Sequence, residues 1–326
     1  MLSELFERRL LVVVGKGGVG KTTVACALAL EAARAGKRTV LAEVDASGRA
    51  AALLGAAPIP LGQSRSVAAN LHVLAVDGKA ALQEYLGLII PLKRLLDAVF
   101  ASRIYNYFVA VAPGLRELMT IGKIWYEAER ADDSTGGRRW DAVIVDAPAT
   151  GHSVQYLRMP KAAHDAFGAG LVARESQRVM DLLADPCRTA INFVTTAEEM
   201  PVNETIEMHQ QLCRELGLPP GYLFVNRVHY ADFTAAEIER VAAGGQGLQP
   251  REDRAVLAEV VRRAHEESGW AAINAEYLRR LKREVRLPAI EVPYLFTEEF
   301  GVEQVQQIAA ALAGAAAASA PRRGEP

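Results

Sequence analysis

Cysteine is scarce in this sequence. Only Cys26, Cys187 and Cys213 occur among 326 residues, the count is odd, and no two form a C-x-x-C pair. That pattern excludes a disulfide framework and a tetrathiolate zinc site, and it suits a reducing cytoplasm. Long apolar runs are missing too: the longest, such as residues 86–92, fall well short of the ~18 to 20 residues that span a bilayer. Arg8 and Arg9 precede an apolar run, but it ends at Gly15-Lys16, too early for a signal peptide and better suited to a first core strand. Nor is one sign of charge in excess. Lys and Arg total 37 against 39 Asp and Glu, a net charge of −2, which speaks against a broad basic surface and a nucleic-acid partner. What remains is ordinary for a folded chain: 50% hydrophobic and 23% charged residues, in a length that admits two domains or one large α/β domain.

Short, β-rich apolar runs recur at residues 10–14, 39–44, 71–76, 142–146, 190–194, 222–226 and 289–292. Their hydrophobicity is continuous rather than alternating, as in strands buried on both faces. Helical stretches separate them, so the pattern predicts a doubly wound, mainly parallel α/β sheet. Ligands of such sheets sit beyond the carboxyl ends of the strands. Two stretches depart from simple βα units. Residues 80–129 are helical in spacing, with breaks expected at Gly87, Pro91 and Pro113-Gly114. Residues 234–285 are charged and helical, interrupted at Gly244-Gly245-Gln246-Gly247. The expected organisation is one domain over 1–312, with 80–129 as a helical insertion subdomain and 313–326 as a flexible tail.

Beyond the first strand, Gly15-Lys16-Gly17-Gly18-Val19-Gly20-Lys21-Thr22 matches G-x-x-x-x-G-K-[ST] in full, and Thr23 opens a helical run. Glycines let backbone N–H groups curl around phosphate oxygens, and the helix N-terminus adds partial positive charge. Lys21 is expected to reach the β- and γ-phosphates and Thr22 to bind Mg²⁺. Lys16 is a second cation in the loop. It is either solvated or placed to act across a dimer interface as a trans charge.

Three further strand ends carry polar residues. Asp45, in Glu43-Val44-Asp45-Ala46-Ser47-Gly48-Arg49, can orient an attacking water opposite Lys21 or cap a helix from Gly48 onward. Asp146, in Asp146-Ala147-Pro148-Ala149-Thr150-Gly151-His152, ends a strand of the kind that holds Mg²⁺ through water, and Gly151 allows a mobile phosphate-sensing loop. Asn226 ends the run 222–226. A guanine reader would carry Asp three residues later, where this chain has His229, so adenine is the better base and ATP the better nucleotide.

Together these residues resemble the ArsA-type ATPase family of arsenite-pump and tail-anchored-protein targeting ATPases. Lys16 to Thr22 is similar to its deviant phosphate loop, Asp146 to Pro160 to its switch II, Val225-Asn226 to its adenine-contacting strand end, and Pro293-Tyr294 to its late adenine loop. The resemblance implies an ATP-driven homodimer, or a heterodimer with a paralogue, in which Lys16 acts in trans and Asp45 is the switch I carboxylate. It also implies that 80–129 builds an apolar groove for a hydrophobic protein segment; simple packing on the sheet is the alternative. Two departures stand out. Switch I lacks the usual D-P-A, and the missing C-x-x-C pair means that no structural zinc is expected. The cysteines read as separate, buried and structural. The expected function is a cytoplasmic switch ATPase that couples nucleotide state to a hydrophobic cargo or a membrane protein, with peripheral membrane contact allowed. The alternatives are an energising subunit of an anion or metalloid exporter, and a ParA/MinD-type positioning ATPase.

Overall fold

The computed structural model describes residues 2–45, 48–90, 93–103, 105, 107, 109, 112, 114–132, 136–231, 233–244 and 251–318. Its strands are β1 (Leu10–Gly15), β2 (Thr39–Val44), β3 (Ser64–Ala68), β4 (Leu71–Val76), β5 (Ala142–Asp146), β6 (Thr189–Thr196), β7 (Pro220–Val228) and β8 (Ala289–Pro293). They form one sheet in the order β3-β4-β2-β5-β1-β6-β7-β8. All pairs are parallel except β3 with β4. Strand β1 is central and wholly buried, which is what its unbroken Leu and Val run requires. Its side chains alternate between two cores: Leu11 and Val13 join the helices Lys21–Arg34 and Val302–Ala318 on one face, while Val12 and Val14 join a second cluster on the other. That second face is covered by helices Leu115–Glu129, Thr150–Phe167, Leu171–Ala184 and Glu199–His209. The doubly wound α/β expectation therefore holds. Edge strand β3 was not foreseen, because its exposed Ser64-Arg65-Ser66 start carries no apolar pattern and needs only one neighbour.

The segment 80–129 holds helices Gly78–Ile89, Lys93–Ala101 and Leu115–Glu129. Asp77 caps the first by accepting from the Ala80 N–H at 2.9 Å. Gly87 does not break it, contrary to expectation; an isolated glycine in an amphipathic helix costs only about 1 kcal/mol. Gly114 caps the third helix in a left-handed conformation, while Pro91 and Pro113 lie outside the described residues. The charged region becomes helices Ala235–Gly244 and Arg251–Glu284, and Gly245 to Gly247 between them lie outside the described residues. Helix Val302–Ala318 runs past Ala313, so the expected tail boundary falls inside a helix. Residues 319–326 lie outside the described residues. Among the described residues no helix is long and apolar enough to cross a membrane.

Candidate functional site: a phosphate loop and its neighbours

Strand β1 delivers its last residue, Gly15, into the loop that leads to helix Lys21–Arg34. Glycine is required at both ends of this loop. A β-carbon at Gly15 would collide with the Val194 carbonyl oxygen on β6, and one at Gly20 would collide with the Asn226 amide on β7. Gly20 also has φ 92°, a left-handed backbone that side chains disfavour. No side chain caps the helix among the described residues, and its first turn holds no acid. Its leading N–H groups and positive dipole end are thus available to an anion.

Within this cradle Lys21 Nζ donates to the Lys16 carbonyl at 3.0 Å. Thr22 Oγ1 donates to Asp146 Oδ2 at 2.6 Å. Burial lifts the Asp146 carboxyl to about 6, although the Thr22 hydroxyl and the Lys21 charge both favour its ionised form. Burial likewise pulls Lys21 below its usual range, and Asp146 offsets part of that. The other Asp146 oxygen, Oδ1, is buried with no hydrogen-bond partner among the described residues. A hydroxyl and a carboxylate with one unsatisfied oxygen are hard donors that fit Mg²⁺. Among the described residues no group of three or more His, Cys, Asp or Glu converges on a metal. A cation arriving on a nucleotide needs fewer protein ligands, because phosphates and waters supply the rest.

Lys16 is ion-paired rather than freely solvated in the single chain. Its ammonium lies 2.5 Å from Glu204 Oε1, on helix Glu199–His209. Asp45, just past β2, has φ 54° and both its carboxylate oxygens 3.1 Å from the Tyr156 hydroxyl. It does not cap the short helix Arg49–Leu53; Glu43 does, accepting from the Arg49 N–H at 2.9 Å. Ala46 and Ser47 of switch I lie outside the described residues. Switch II departs from the mobile loop expected at Gly151. Helix Thr150–Phe167 begins before it, and Gly151 and His152 sit exposed in the first turn, because Val154 and Leu157 anchor that helix in the core. Pro148 is half-buried just before this helix.

The residues expected to hold adenine, Asn226, Pro293 and Tyr294, line one cavity of about 600 Å³, together with Thr23, Arg49 and Arg227. Asn226 also braces the phosphate loop: its buried amide donates to the Val19 carbonyl at 2.9 Å. His229 is turned to Glu267 at 2.7 Å and stacks on Tyr294 with centroids 4.5 Å apart. Sequence reading missed Glu43, Arg49, Arg227, Tyr156 and Glu204 as parts of the site. Only Glu43 gave a local signal, as a lone acid in an apolar strand.

A second cavity, of about 490 Å³, opens between helices Gly78–Ile89, Leu115–Glu129 and Leu171–Ala184. Leu82, Tyr85, Leu88, Leu118, Met119 and Trp125 line it, so part of the helical insertion faces a groove rather than the sheet. The cysteines stay apart. Cys26 is buried under one sheet face, Cys213 packs against the core of the other, and Cys187 is exposed, so it is not the buried residue expected.

A doubly wound sheet, a complete phosphate loop and a buried carboxylate bonded to its threonine define a phosphate-loop ATPase. A family model described as anion-transporting ATPase, of the ArsA type, matches residues 8–172. The chain is 35% identical over 246 residues to the ATPase BagA of Mycobacterium tuberculosis, covering 74% of this chain and 72% of that protein. It is 28% identical over 241 residues to an arsenical pump-driving ATPase of Escherichia coli, covering 67% of this chain and 39% of that longer protein. The chain belongs to the ArsA ATPase family.

Proposed function

We propose that this ATPase is a dimeric, Mg²⁺-dependent switch whose nucleotide state governs the binding of a hydrophobic protein segment. The observation that carries the reading is the apolar groove of about 490 Å³, whose Leu171–Ala184 wall packs on helix Thr150–Phe167, the helix that follows Asp146. A change at the phosphate loop therefore has a short mechanical route to the groove. Lys21 and the loop N–H groups bind and orient the phosphates. Asp45 orients the attacking water and accepts its proton late, since a carboxylate is a weak base. Thr22 and Asp146 would hold Mg²⁺, which supplies charge neutralisation on the phosphates when bound. Lys16 of each chain would add its charge to the partner's site, which requires leaving Glu204.

The test is to trap Asp45→Asn with ATP and identify what co-purifies. Hydrophobic protein tails support the reading. A membrane permease would transfer it to an exporter-energising role, in keeping with the pump-driving names of the arsenical relatives. Capture of neither would leave the groove as ordinary packing and refute the cargo function.

A further inference from the structure

Asp45 lies just past β2 and Tyr156 on helix Thr150–Phe167, 111 positions apart in the chain. The Tyr156 hydroxyl sits 3.1 Å from each Asp45 oxygen, so its single proton is shared between them. The Tyr156 side chain packs against the core cluster that holds Val44, Val145 and Leu157, and lines a small cavity with Pro148. The aromatic body is therefore held by the core while the hydroxyl reaches the Asp45 carboxylate. On its own side, Asp45 departs from β2 in a left-handed conformation that Asp tolerates but does not favour. Burial and the Asp45 charge both raise the Tyr156 phenol well above its ordinary range, which keeps the donor protonated at any physiological pH.

We infer that Tyr156 is a positioning residue that latches the switch I carboxylate to the switch II helix in the nucleotide-free chain, and that the latch must open for Asp45 to meet the attacking water. The inference rests on the reading of Asp45 as the water-orienting carboxylate. It adds a regulatory element to that reading: basal hydrolysis is restrained by one hydroxyl, and a movement of switch II away from Asp45 both releases the carboxylate and reports nucleotide to the helices beyond it.

The variant Tyr156→Phe keeps the packing ring and removes only the donor. It is expected to raise kcat about 3- to 10-fold, the range for losing one restraining hydrogen bond to a charged acceptor in a partly exposed place, with KM for ATP unchanged. Hydrogen exchange of the peptide spanning residues 43–50 should quicken in the nucleotide-free variant and return to the wild-type rate with ATP and Mg²⁺. In an Asp45→Asn background, Tyr156→Phe should have no further effect on turnover. Unchanged or lowered kcat in Tyr156→Phe, with exchange also unchanged, overturns the latch. If Asp45→Asn itself turns over normally, the role of Asp45 falls instead, and the two failures are distinct. A general loosening of the fold would raise KM and lower the melting temperature, which the latch does not predict.

Discussion

Replacing Asp146 by Asn should make the free protein more stable while abolishing Mg²⁺-dependent turnover. Burial raises this carboxyl from 3.8 to about 6, which corresponds to about 3 kcal/mol between its two protonation states. The folded chain holds the proton more tightly than the unfolded chain. Between about pH 4 and pH 6 the native state thus carries the extra proton, and stability from this group falls as pH climbs through that window. Above about pH 6 the full penalty of the buried charge is present. Asn has the shape of Asp without that charge, so the variant should exceed wild type by about 2 to 3 kcal/mol near neutral pH and match it near pH 4. Urea unfolding of both proteins at several pH values measures the difference directly, and taking the difference cancels the other titrating groups. Wild type alone should be stabilised further by ATP with Mg²⁺. An Asn variant no more stable than wild type near neutral pH would refute the reasoning, as would a gap that persists in acid.

Lys21→Ala should lose ATP binding in calorimetry; retained affinity would remove the loop from the nucleotide site. Gly20→Ala forces a side chain onto a left-handed residue and into the Asn226 amide, so thermal or urea melts should show a loss of about 2 to 4 kcal/mol. Glu204→Gln frees Lys16 and should raise turnover about 2- to 5-fold at protein concentrations that favour dimers, with no such gain in a Lys16→Ala background. Equal turnover in Glu204→Gln and wild type would show that the ion pair does not restrain Lys16.

The sheet was legible because parallel strands buried on both faces need continuous apolar runs, and the runs at 39–44, 71–76 and 142–146 match β2, β4 and β5 in full. Strand β3 was not, since an exposed edge strand tolerates Ser64, Arg65 and Ser66. Loop residues Gly15 to Thr22 were legible because backbone cradling of phosphate imposes glycine and lysine at fixed spacing. The partners of those residues were not. Tyr156 and Glu204 act on Asp45 and Lys16 from 111 and 188 positions away, and nothing local distinguishes either from a surface side chain. Helicity from Thr150 was hidden for a different reason. Gly151 argues for a loop by propensity, but the burial of Val154 and Leu157 outweighs about 1 kcal/mol of glycine cost.

In the free chain the charged groups of the site are committed to internal partners: Lys21 to a loop carbonyl, Lys16 to Glu204, and Asp45 to Tyr156. The Lys16 pair is about a quarter exposed on both sides, so breaking it costs at most about 1 kcal/mol. Asp146 is the opposite case, a buried carboxylate with one unsatisfied oxygen and a strong penalty. A nucleotide with its cation thus gains most where the free protein is worst off and displaces contacts that are individually weak. That asymmetry suits a switch. Strong binding at Asp146 and the loop can drive weak contacts at Lys16 and Asp45 in one direction, and loss of the nucleotide lets them re-form without a large barrier. On the proposed reading, the two weak contacts set how far the resting state is favoured, which is why single hydrogen-bond variants at Tyr156 and Glu204 are expected to change turnover rather than folding.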